Sequence, residues 1–157
     1  MQKGKRKKTV LAHKSWRYLV FVIAFMAILG TAIIAVYYKL EQRQKKLTVS
    51  NLELKVETAS TRKAQTQGLS GRKFLSQDRG MLFVFASESE HCFWMKDMNF
   101  ALDIIWMDAN GKITNIKENI SPDTYPATFC GNGQYVLEIN SGLSTRNSLQ
   151  IGQVADF

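Results

Sequence analysis

Histidine is nearly missing from this sequence, which limits the chemistry it can do. There are two histidines. His13 precedes a long uncharged run, and only His91 belongs to the segment after it, so a Ser-His-Asp or Cys-His site there would have to use His91. No serine sits in a G-x-S-x-G elbow. Cys92 adjoins His91 in sequence, and in a strand the two side chains point to opposite faces. Nucleophilic catalysis therefore has little footing. Internal repeats and low-complexity segments are also lacking.

A positive surplus is missing where a nucleic-acid domain would need one. The net charge is +8, but residues 1–46 hold eleven Lys or Arg against the single acid Glu41. Residues 47–157 hold ten cations against twelve acids. A phosphate-binding domain needs its own clustered positive face, so nucleic acid is not an expected partner.

Charge of either sign is absent from Tyr18 to Tyr38, YLVFVIAFMAILGTAIIAVYY. A helix of that length spans about 30 Å, the thickness of a bilayer's hydrocarbon core. Trp16, Tyr18, Tyr37 and Tyr38 place amphipathic rings at both ends, where interfacial aromatics settle. The apolar run is longer than the ~7–15 residues of a signal-peptide core and ends in Val36-Tyr37-Tyr38, where a cleaved peptide would place a small-x-small site before a soluble domain. It reads as an uncleaved signal anchor. Seven cations precede it (Lys3, Lys5, Arg6, Lys7, Lys8, Lys14, Arg17) and four follow closely (Lys39, Arg43, Lys45, Lys46). The positive-inside rule then puts the N-terminus in the cytoplasm and the C-terminal domain outside it.

The expected organisation is a basic cytoplasmic tail over residues 1–17, a transmembrane helix over 18–38, a juxtamembrane linker over 39–50 and an extracytoplasmic β-rich domain over 51–157. Cysteine is absent from the tail and the span. The two cysteines, Cys92 and Cys130, both fall in the outer segment. An even count confined to an exported domain favours a disulfide; two unpaired buried thiols are the alternative.

Within the outer segment Leu52, Leu54 and Val56 alternate with Glu53, Lys55 and Glu57, the period of a half-buried strand. Ser60 or Thr61 can cap a short helix over 62–67 that Gly68 stops. Further strands are expected at 81–85, 93–95, 104–107, 113–116, 135–139 and 154–157, with a short turn or helix at 144–148. Asn110-Gly111 joins two apolar runs as a hairpin turn. About seven short strands and one or two small helices favour a mainly β, compact jelly-roll or barrel-like sandwich over a parallel βαβ arrangement.

The order of motifs carries a family resemblance. Gly68-Leu69 and Arg72 are followed by Gly80-Met81-Leu82-Phe83-Val84-Phe85, Phe93-Trp94-Met95-Lys96 and Leu102-Asp103. Then come the 108–111 turn, Tyr135-Val136-Leu137-Glu138-Ile139-Asn140 with Gly142, and Gly152. Over residues 52–157 this resembles the domain of unknown function 192 family. The resemblance implies a compact β-rich fold, often exported or membrane-attached, with no established activity. The chain departs from the usual pattern at Ser70, Ala101, Ser141 and Gln153, and the cysteine pair is not part of that pattern.

Chemistry-bearing residues are densest over 88–103. Trp94 could stack on a ligand while Lys96 and Asp103 fix its orientation; otherwise Trp94 and Met95 are core and Lys96 caps the rim. Arg72 could clamp a carboxylate in a bidentate pair, either a ligand's or an internal one such as Asp103 or Glu138. Asn140 suits a turn better than a ligand contact. The expected ligand-binding set is Arg72, Trp94, Lys96, Asp103 and Asn140, with no cofactor. Glu88, Glu90, His91, Cys92, Met95 and Met98 form a weaker metal alternative, His91 and Cys92 at its centre, without standard ligand spacing. The leading expectation is a membrane-anchored module that binds an envelope component or small molecule without catalysis. The alternatives are a hydrolase of envelope polymer using paired carboxylates among Asp97, Asp103 and Glu138, and a scaffold for a membrane partner.

Overall fold

The structure, a computed structural model, describes residues 5–41 and 44–157. The chain falls into two compact units, residues 1–42 and 43–157. The first is one helix, α1, Lys5–Glu41. Within it Tyr18–Val36 is long and apolar enough to cross a membrane, and Trp16 and Tyr18 are exposed. The cations before the span and the Tyr37–Tyr38 pair lie outside the residues whose side chains are described.

The second unit is mainly β. Strands β1 (Gln44–Val49) and β2 (Leu52–Ala59) form a hairpin, turned at Ser50 with φ of 52°. Helix α2 (Arg62–Gln67) follows. The Thr61 side chain accepts from the Ala64 N–H at its start, and Gly68 closes it by donating to the Ala64 carbonyl. Strand β3 (Arg79–Trp94) then runs parallel to β2. Strands β4 (Leu102–Met107) and β5 (Ile113–Ile120) make an antiparallel pair. Strand β6 (Thr128–Asn140) and the single turn of α3 (Leu143–Arg146) complete the elements. One six-stranded mixed sheet results, in the order β1-β2-β3-β6-β4-β5.

Several expectations are corrected here. The ladder is a single open sheet, so barrel-like overstates its closure. The C-terminal segment bridges Thr48 to Asp156 and Lys112 to Val154 without forming the closing strand expected at 154–157. Residues 44–49, assigned to a linker from their cations, form a strand because Leu47 and Val49 alternate inward. The β2–α2–β3 crossover is a parallel unit inside a mostly antiparallel sheet. The two short strands expected at 81–85 and 93–95 are one strand, β3, with a register irregularity between Val84 and Ser89.

Side-chain alternation gives the sheet two apolar faces. On one, Leu82, Ile105, Leu137 and Ile139 pack with Leu47, Leu54, Ile113 and Leu143. On the other, Phe83, Ile104, Trp106 and Val136 pack with Leu69, Leu75 and Met95. All six residues of β4 are buried, as a strand covered on both faces requires. Asp103 is among them, wholly buried. Its Oδ1 accepts the Asn119 and Gly142 N–H groups at 2.9 and 3.0 Å, and its Oδ2 that of Ser144 at 2.9 Å. The carboxylate thus pins the end of β5 and the start of α3 to β4. Asn140 likewise spends its side-chain N–H groups on the Leu75 and Ser76 carbonyls, both at 3.0 Å.

Candidate functional site

On the second apolar face a cleft of about 320 Å³ opens between α2 and the β3–β6 ribbon. Its walls include Phe83, Phe85, His91, Phe93 and Trp94 from β3, Gln65 and Gly68 from the α2 segment, and Glu138 from β6. That volume lies at the lower end of small-molecule sites.

Alternation along β3 supplies the aromatic wall, because Phe83, Phe85, His91 and Phe93 all stand on one face. The irregularity between Val84 and Ser89 brings Phe85 and His91 into a stack with ring centroids 3.5 Å apart and planes 11° apart. Phe93 meets Phe83 edge to face at 4.8 Å and Trp106 at 6.1 Å. Trp106 holds this wall from beneath by donating its indole N–H to the His91 carbonyl at 2.9 Å. The indole lies over Gly131, where a Cβ would come within 2.6 Å of the ring. Trp94, half exposed, stands at the rim.

Glu138 forms the polar floor. It is 5% exposed, and its Oε2 has no hydrogen-bond partner. Burial raises its pKa to about 8, although the positive charge of Arg72 acts in the opposite direction. Gly68, at φ of 49°, borders this oxygen: a Cβ there would lie 3.9 Å from Oε2 and 3.4 Å from Phe83. The glycine that ends α2 therefore borders the buried carboxyl without a side chain of its own. His91 is pushed below its usual pKa mainly by burial and lies 3.1 Å from the Ser89 hydroxyl.

The residues singled out from the sequence do not form one face. Trp94 lines the cleft, whereas Asp103 points to the other side of the sheet: it pairs with Ile139, while Glu138 pairs with Ile104. Asp103 and Glu138 therefore cannot act as an acid pair. Asp103 and Asn140 hold backbone together, as described above. Lys96 is exposed, and its carbonyl accepts the Ser70 hydroxyl at 2.9 Å. Arg72 makes the bidentate pair its position suggested, but with Glu57, at 2.6 and 2.8 Å, in place of Asp103 or Glu138. That pair lowers the Glu57 pKa and raises that of Arg72, the mutual hydrogen bonds being the main cause.

Cys92 and Cys130 face each other across β3 and β6 and form a disulfide. Glu90 completes a group of three potential metal donors with them, but sulfurs bonded to each other cannot ligate as thiolates. His91, expected in that group, stands on the opposite face against Phe85. The sequence offers Glu138 as an internal partner for Arg72 or as one of a pair of hydrolytic carboxylates, and not as the buried acid of a binding cleft. The available sign was an acid between Leu137 and Ile139 in an otherwise apolar strand.

The sequence matches a known family over nearly the whole second unit. The family model for DUF192, described as "Uncharacterized ACR", covers residues 45–157. The chain belongs to the DUF192 family. No curated protein matches it. Two solved structures share the fold. One, from Novosphingobium aromaticivorans DSM 12444, is described as a protein of unknown function. It superposes with TM-score 0.69 at 28% identity, covering 73% of this chain and 85% of its own. The other, from Sinorhizobium meliloti 1021, is described as a "putative transcription regulator". It gives TM-score 0.68 at 28% identity, covering 72% of this chain and 92% of its own. In this DUF192 member, the fold is thus one that solved structures share, and the cleft holds the buried Glu138.

Proposed function

We propose that this DUF192 protein is a membrane-anchored module that faces outside the cytoplasm and binds a small molecule or envelope component without transforming it. The seat is the Glu138 cleft, with Trp94 at its rim. The observation that carries this reading is the buried, unpartnered carboxyl oxygen beneath an aromatic wall. Leaving a polar group buried without a partner costs about 1–3 kcal/mol, and a ligand donor or acceptor relieves that cost. Anchoring is supported by the apolar span of α1, and the oxidising side by the Cys92–Cys130 disulfide. The basic residues before the span favour a cytoplasmic N-terminus.

Native mass spectrometry of the full chain, released gently from micelles, tests the binding reading. The expected result is an oxidised chain carrying a non-protein adduct that both Glu138→Gln and Trp94→Ala deplete. An adduct retained equally by both variants would place the ligand elsewhere. An oxidised chain without any adduct, and unchanged after incubation with solubilised envelope, would remove the binding reading. Orientation is tested by labelling a cysteine introduced at Ile151, which is 67% exposed, with a membrane-impermeant maleimide on intact cells. Labelling is expected, and protection until lysis would reverse the topology.

A further inference from the structure

We infer that the Glu138 cleft selects a small organic cation, an ammonium or alkylated ammonium group, seated against the carboxyl and enclosed by Phe85, Phe93 and Trp94. This rests on the ligand-binding reading and names the class of ligand. Two independent features converge on it. The first is the Glu138 Oε2 itself, unpartnered and nearly fully buried in a residue that lines the cleft. The second is the aromatic wall, whose ring faces carry negative quadrupole charge and attract a desolvated cation. A cation gains from both at once. A neutral ligand gains from the carboxyl only a hydrogen bond, and an anion would be repelled by the ionised form.

The surrounding charges permit this. From the loop after α2, Arg72 is committed to Glu57 of β2 through two hydrogen bonds, so that pair adds no net charge. His91 of β3 has its pKa lowered by burial and is uncharged at neutral pH. Cys92 is held in the disulfide. Arg62 of α2 is exposed at the cleft's edge, where solvent screens it. Glu138 is therefore the acid that a bound cation would meet.

Proton linkage gives the inference a signature that mere affinity would not. With its pKa at about 8, Glu138 is roughly nine-tenths protonated at pH 7. A cation binds the ionised form and displaces the proton, so its affinity rises about tenfold per pH unit while the pH lies well below 8.

Calorimetric titration of the full oxidised chain in maltoside micelles provides the test. The probes are choline and its uncharged carbon isostere, measured at pH 6, 7 and 8 in two buffers of different ionisation heat. Choline is expected to bind at least tenfold more tightly than the isostere and to release about 0.9 proton at pH 7. Its affinity should climb roughly tenfold from pH 6 to 7. Glu138→Gln should reduce choline to the level of the isostere. Trp94→Ala, at an exposed rim where folding is not at stake, should weaken choline by roughly three- to tenfold. Equal or tighter binding of the isostere, or choline binding without proton release, overturns the cation while leaving the ligand-binding reading intact. Failure of both probes to bind also overturns the cation, and the adduct measured by mass then decides the broader reading separately.

Discussion

Replacing Glu138 with Gln should remove a large, signed pH dependence from the stability of the second unit. Glu138 ionises near 4.5 in an unstructured chain and at about 8 in the fold. The folded state thus holds its proton more tightly between these values, so the stability contributed by the neutral acid is full below about pH 4.5. It is lost as pH rises and is gone above about pH 8. At 1.36 kcal/mol per pKa unit the full swing is about 5 kcal/mol, most of it between pH 5 and 8. Gln has the same shape and never ionises, so the variant lacks this slope and should exceed the wild type by several kcal/mol at pH 8.5. Urea unfolding of the oxidised chain in maltoside micelles, followed through the wholly buried Trp106, measures both at matched pH. Other groups contribute equally to the two proteins and cancel in the difference. Parallel stability curves for wild type and Glu138→Gln from pH 5 to 8.5 would refute the reasoning, because the buried acid would then be titrating as if in water.

Other perturbations separate structural from ligand roles. Arg72→Met should destabilise the fold by only about 1 kcal/mol, since its pair with Glu57 is one-third exposed and screened. It should also move the loss of Glu138-linked stability above pH 8, because Arg72 opposes the rise in that pKa; a move to lower pH in the same urea series would contradict this. Asp103→Ala strips three backbone N–H groups of their acceptor, one of them buried and two half-buried, and should cost about 3 kcal/mol, read as a lowered urea midpoint. Reducing the disulfide should cost about 4 kcal/mol in the chain-entropy model for a separation of 38 residues. Thermal unfolding with and without reductant checks this, with thiol alkylation by mass confirming reduction.

Local rules carried much of the architecture. Helix α2 appears where Thr61 and Gly68 bracket a short polar segment, and the β4–β5 hairpin turns at Asn110-Gly111, because caps and turns depend on a few neighbouring residues. The long uncharged helix was equally legible, since hydrophobic length is a property of one segment. Strand β1 is not legible in the sequence because Lys45 and Lys46 precede a single alternating pair, Leu47 and Val49, too brief a pattern without its partner β2. The continuity of β3 is not legible either, because its exposed middle, Ala86–Glu90, has no apolar period of its own; pairing with β6 extends the strand on both sides of the irregularity.

The sequence by itself determined an apolar span, a β-rich C-terminal unit of the DUF192 family, and a cysteine pair confined to that unit. Tertiary structure decided which polar residues meet. It sent Asp103 to backbone N–H groups on one side of the sheet and Glu138 to a cleft on the other, through a pairing register that one residue's slip would invert. It joined Arg72 to Glu57, fifteen residues away, and left the Glu138 oxygen beneath Gly68 without a partner. Spacing along the chain fixes which face a side chain takes within its own strand. Which strands lie beside it, and hence what that side chain touches, is set only when the whole sheet assembles.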